Sequence, residues 1–122
     1  MKLSDQVCTP QQAKRLKEYG VTQDSQYYYT AEGLFPKPFV NFTLESYSAF
    51  TVAELGVMLG EGSFSYRPTS SGSKSSKWAW RNEQGESESP FDTEAQARAA
   101  KLLWDIGAYN ITAEEANKRL KA

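Results

Sequence analysis

Four copies of one helix-start signature divide this chain. Each reads Thr-x-x-Glu/Gln: Thr9 to Gln12, Thr51 to Glu54, Thr93 to Gln96 and Thr112 to Glu115. In this pattern the threonine hydroxyl accepts the N3 amide hydrogen, and the Glu or Gln side chain accepts from the cap amide. Two of the amide donors that a helix start leaves bare are satisfied this way. Four such starts in 122 residues restrict the chain to short helices and the segments between them.

The length fits a single domain, 1–122. With 39% apolar and 24% charged residues, a packed core is expected. The net charge of −1 argues against bulk nucleic-acid binding, although a local basic patch is compatible with it. No apolar run reaches the length of a membrane span, and the first ten residues lack the apolar stretch of a secretory signal. One cysteine makes no internal disulfide. Together these favour the cytosol, off the membrane.

Residues 10–19 read as the first helix, with Pro10 at its first position and Cys8 and Ala13 placed as a hydrophobic staple. Gly20 fits its left-handed C′ position, with Val21 folding back on Leu16. Residues 26–31 read as a strand through Tyr27, Tyr28 and Tyr29, followed by a loop marked by Gly33, Pro36 and Pro38. Residues 39–44 alternate and suggest a second strand paired with the tyrosines. Thr51 opens a helix with Val52, Leu55, Met58 and Leu59 inward, ended by Gly60 and Gly62. Residues 63–67 and 77–81 alternate as a second hairpin around a long polar tip, 68–76; residues 83–89 form a polar turn with room for a short strand. Thr93 opens the longest helix, with Ala95, Ala99, Leu102, Leu103 and Ile106 at helical spacing. The pairs Glu94–Arg98 and Lys101–Asp105 are placed on its wet side, and Gly107 closes it. Thr112 opens a last helix. The expected class is α+β: an antiparallel sheet of about four strands in two hairpins, packed against helices, in the order α-β-β-α-β-β-α-α.

Chemistry-bearing residues are sparse. The chain has no His, and its Asp residues are scattered, so no metal site, cofactor or catalytic residue is expected. Cys8 precedes a helix start, which can activate a thiol, but the same position is that of the staple. A Ser-Lys pair around Lys74 would sit in a polar tip, and Glu83, Glu86 and Glu88 read as a solvated turn. The segments around Gly60-Glu61-Gly62 and Gly72 do not have phosphate-loop spacing.

The second hairpin carries the strongest binding signal. Trp78 and Trp80 alternate with Lys77 and Arg81, and Arg67 and Lys74 flank the tip. Aromatics can stack a base while guanidinium groups hold phosphate, yet alternation puts the rings and the cations on opposite faces. Among the tyrosines, which must place a ring outward, Tyr28 is the interface candidate.

Residues 12–20, 48–56 and 94–103, the segments around the first three threonine signatures, resemble a family of small uncharacterised proteins of gut bacteroidete bacteria, their prophages and phages. The resemblance implies a mobile-element setting and assigns no residue a role. The resulting expectation is a non-enzymatic phage or prophage accessory binding protein, a counter-defence factor that inhibits a host protein or sequesters an anionic small molecule such as a signalling nucleotide. The alternatives are an assembly module forming homo-oligomers through its aromatic strand, and a small hydrolase using carboxylate or Ser-Lys chemistry.

Overall fold

Each threonine signature starts a helix in the computed structural model, which describes residues 2–37, 46–60, 65–68, 78–81 and 87–121, with backbone alone for 65–68, 78–81 and 87–90. The helices are α1 (Pro10–Glu18), α2 (Val52–Leu59), α3 (Glu94–Gly107) and α4 (Ala113–Lys121). Thr9 and Thr51 form complete reciprocal capping boxes with Gln12 and Glu54. At α3 the Thr93 hydroxyl accepts from the Gln96 amide, but the Gln96 side chain accepts from the Asp92 amide instead of the cap. The Thr112 hydroxyl accepts from the Glu115 amide.

The strands are β1 (Tyr27–Thr30), β2 (Gly33–Pro36), β3 (Tyr47–Ser48), β4 (Ser65–Pro68), β5 (Trp78–Arg81) and β6 (Ser87–Phe91). The α+β class and the antiparallel pairing hold. The expected order and count do not, because each hairpin gains a third strand, giving sheets ordered β2-β1-β3 and β4-β5-β6. The tyrosine strand pairs with residues 33–36, expected to be loop, in register from Thr30 opposite Gly33 to Tyr27 opposite Pro36. A two-residue turn, Ala31 and Glu32, makes that hairpin. Pro36 is tolerated because it ends a strand at the sheet's edge. The strand expected over 39–44 and the tip beyond Pro68 lie outside the described residues.

The starts of α1 and α2 are bound back to back. Val7 bridges Thr51, the Cys8 amide donates to the Phe50 carbonyl (2.9 Å), and the Val52 amide donates to the Gln6 carbonyl (3.2 Å). This brings the two staples together: Cys8 with Ala13, and Phe50 with Leu55, all fully buried in one core with Leu16, Met58, Ala95, Ala99 and Leu102. Glu54 does more than cap α2. Its Oε1 also accepts from the Ser25 hydroxyl (2.7 Å) and its Oε2 from the Gln26 amide (3.3 Å), fixing where β1 begins.

Helix α4 packs on its own domain. Ala116 is buried, and Asn117 clamps the end of α1: its Nδ2 donates to the Gly20 carbonyl (3.1 Å) and its Oδ1 accepts from the Thr22 amide (2.6 Å). Gly20 takes φ +95°, and the Val21 amide donates to the Leu16 carbonyl, as the sequence suggested. Arg119 caps the other neighbour, donating to the Met58 and Leu59 carbonyls (3.0 and 2.9 Å) at the end of α2. Gly60, at φ +79°, leaves room for that guanidinium; a Cβ there would lie 2.7 Å from its Nη1.

One expectation about α3 is overturned. Lys101 and Asp105 do form an ion pair, but it is not on a wet face: Lys101 is 2% exposed and Asp105 7%. Helix α3 lies against α1, α2 and all three strands of the second sheet, so few of its faces remain for solvent. The Asp105 carboxylate also accepts from Asn110 Nδ2 (3.3 Å), tying the buried pair to the turn into α4. The Glu94–Arg98 pair is half-buried. Gly107 is the last residue of α3, as expected, and the chain beyond it passes through one left-handed residue. That conformation falls on Tyr109 (φ 63°), whose ring is 92% exposed.

Three stability measurements follow by urea denaturation. Asn117→Ala lowers stability by about 1–2 kcal/mol, because it strips partners from two backbone groups at once. Lys101→Met alone costs about 3–5 kcal/mol by stranding a buried carboxylate, whereas Lys101→Met with Asp105→Leu recovers most of that loss. Tyr109→Asn raises stability by about 0.5–1 kcal/mol, since Asn tolerates the left-handed region better.

Candidate binding groove

Of the residues singled out from sequence, Arg67, Trp78, Trp80 and Arg81 lie on the paired strands β4 and β5, and Tyr28 lies in the first sheet. Lys74 and Lys77 lie outside the described residues. The backbone register sets Arg67 opposite Ala79, Trp80 opposite Tyr66, Trp78 opposite Pro68 and Arg81 opposite Ser65. Tyr28 is not the outward ring: it is 2% exposed, and its hydroxyl accepts from the Ser25 amide and donates to the Gln23 carbonyl, both at 3.1 Å. Strand alternation turns Tyr27 and Tyr29 the other way, and both are half-buried.

Nucleophilic chemistry finds no support at Cys8. Its thiol is fully buried beside the Ser48 carbonyl, and burial pushes it up to about 12. Tyr29 is also pushed up to about 12, by burial first and then by the neighbouring Cys8; its hydroxyl donates to the Cys8 carbonyl (2.6 Å). Among the described residues, no group of three His, Cys, Asp or Glu could hold a metal, and no helix is long and apolar enough to cross a membrane.

Among the described residues, a concavity lies between α1 and α3. It is an open groove of about 620 Å³, within the range of ligand sites. One wall is α1, through Gln11, Gln12, Arg15 and Tyr19; the other is α3, through Ala100, Leu103, Trp104, Gly107 and Ala108, with Phe91 at the end of β6. The two helices run side by side in the same direction. Near their starts, Gln12 Nε2 donates to the Gln96 carbonyl (3.0 Å). At the far end Tyr19 reaches Gly107, where a Cβ would stand 3.3 Å from its hydroxyl.

Among the described residues, Arg15 is the one charged residue in the groove's lining. Arg15 Nη2 donates to the Tyr19 hydroxyl (3.2 Å), and the guanidinium stands 5.7 Å from that ring's centre. On the opposite wall the buried Lys101 ammonium sits 5.2 Å from the Trp104 ring centre and steadies it. Aromatic rings, an anchored guanidinium and a small-residue floor suit an anionic partner with an apolar body. A second cleft of about 520 Å³, at the starts of α2 and α3, is lined by Asp5, Asp92 and Glu94. There the Thr51 and Thr93 hydroxyls accept from the Glu54 and Gln96 amides.

Sequence reading passed over this groove. The available signal was on α3, where Ala100, Leu103, Trp104 and Gly107 form a second apolar stripe at i, i+3, i+4 and i+7.

The two raised pKa values carry a pH dependence. The fold holds Cys8 and Tyr29 protonated, while the unfolded chain releases those protons near 9.0 and 10.0. Stability from both groups is therefore complete below pH 9 and falls as pH rises toward 12. Urea midpoints recorded from pH 8 to 11 should decline more steeply for the wild type than for Tyr29→Phe. At pH 8 the native thiol should resist a thiol-reactive dye and become labelled only on unfolding.

Compared with known proteins, the chain matches no family model, no curated protein and no solved structure.

Proposed function

We propose that this chain is a non-enzymatic accessory binding protein of phage or prophage type, acting in the cytoplasm of a bacterial host, and that it engages an anionic partner through the α1–α3 groove. The observation that carries the reading is the groove itself, where Phe91, Tyr19 and Trp104 share the lining with Arg15 and no carboxylate occurs among the described lining residues. Buried anchors and a single well-placed guanidinium are the usual energetic centre of a recognition surface. The burial of Cys8, the chain's one thiol, supports binding over covalent chemistry. The mobile-element setting rests on the helix-segment resemblance alone. Within it, the groove suits a counter-defence role against a host protein or an anionic signalling nucleotide.

The test is an NMR titration of the isotopically labelled protein with acidic peptides and with adenosine and guanosine nucleotides, alongside an assay for ligand turnover. Shifts should cluster at residues 11–19 and 100–108, vanish with Arg15→Glu, and leave the ligand chemically unchanged. Shifts confined to β4 and β5, or turnover of any ligand, would sink the reading.

A further inference from the structure

The turn from α3 to α4, residues 108–112, holds the one non-glycine residue at positive φ among those described, Tyr109 at 63°. A side chain in that region costs free energy, because its Cβ crowds the following carbonyl. The Tyr109 ring is 92% exposed, so packing returns little of that cost. Such strain persists where the surrounding structure enforces it. Here the enforcing contact is the docking of α4, which requires the chain to turn sharply after Gly107.

Helix α4 packs chiefly on α2, not on α3, to which the turn joins it. Ala116 is its one fully buried residue, with Ala113 and Leu120 half-buried beside it. The rest of the attachment is polar. Asn117 holds the Gly20 carbonyl and the Thr22 amide, and Arg119 holds the Met58 and Leu59 carbonyls. A nine-residue helix attached in this way opens at low cost. Its seat does not tolerate staying bare: four backbone groups at the ends of α1 and α2 lose their partners, and Ala116 leaves the core. The element that fits the seat is α4 itself. Because these bonds run to the ends of α1 and α2, the same set forms when α4 arrives from another copy.

Opening the turn also has a defined product. Residues 108–112 contain no proline, so α3 can run on into α4 as one helix, with Tyr109 in the right-handed region. The Asn110 and Ile111 amides, which now share the Asp105 carbonyl (2.9 and 3.4 Å), then take regular i−4 carbonyls. The Asn110 bond to the Asp105 carboxylate and the Thr112 cap are given up in exchange.

We propose that α4 exchanges between two copies of this chain, each seating its α4 on α1 and α2 of the other, with the Tyr109 turn as the hinge. The closed monomer and the exchanged dimer share the α4 contacts, so the hinge and the concentration decide between them. Relief of two strained turns favours the dimer, and the freedom lost on association opposes it.

The experiment refolds an equal mixture of isotope-labelled and unlabelled full-length chain from urea at high concentration, then separates monomer from dimer. A Cβ at Gly20 would stand 3.8 Å from the Ala113 Cβ, so the Gly20 α-hydrogens face that methyl. In the mixed dimer, isotope-filtered NMR should show the Gly20–Ala113 cross-peak between chains; in the monomer it arises within one chain. Tyr109→Gly should raise the dimer's dissociation constant at least about tenfold, since it removes the strain from the closed turn. Tyr109→Ala keeps the strain, loses the ring and favours helix, so its dissociation constant should match or fall below that of the wild type. The position is exposed, and unchanged monomer spectra establish that both variants fold. A chain that stays monomeric, a dimer without the cross-chain peak, or a Tyr109→Ala variant as monomeric as Tyr109→Gly overturns the proposal.

Discussion

The back-to-back junction of the α1 and α2 starts governs the rest of the structure. Two short helices can share a core only if their exposed amides and their entering chains are satisfied together. Here one antiparallel contact, from Gln6 and Val7 to Thr51 and Val52, does this for both. It also places Cys8 and Phe50 side by side at the centre of the core. With those two residues fixed, α1 has one orientation left, and it is the one that lays its Gln11–Arg15–Tyr19 side along α3. Glu54 extends the same junction to the first sheet through Ser25 and Gln26. The groove is thus a by-product of how two helix starts satisfy their backbone.

Helix α3 is the second organiser, and it works by having no truly wet face. Its core stripe meets α1 and α2, and the helix also lies along β4, β5 and β6. That enclosure is why Lys101 and Asp105, an ordinary surface pair by spacing, become a buried pair that must satisfy each other. The pair reaches outward in two directions: through Asn110 to the α3–α4 turn, and through the Trp104 ring to the groove wall.

What could be read from sequence was what is local. The four threonine caps, the Gly20 turn and both staples depend on residues within a few positions of one another, and all of them form. Strand partners were legible only where a turn announced them. The tyrosine strand found a nearer partner at 33–36 because a two-residue turn closes a shorter loop than the one expected. The burial of Lys101 and the groove both arise from contacts between distant segments: Gln12 meets Gln96, and Tyr19 meets Gly107. A charged pair at helical spacing says nothing of what packs over it, and an Arg on α1 says nothing of a Trp on α3. The second stripe of α3 was visible as a pattern, but its meaning depended on knowing which side α1 would leave uncovered.

The Asn117 clamp has a consequence for how the protein is made. The Gly20 carbonyl and the Thr22 amide, at the end of the first helix, find their partner 97 and 95 residues later. At translation speeds of ~5–20 residues per second, α1 waits roughly 5–20 s on the ribosome before its end can be closed. Through that interval the nascent core lacks Ala116 and the Arg119 guanidinium that closes the end of α2. Final consolidation is a late, cooperative step that couples the earliest and latest segments described.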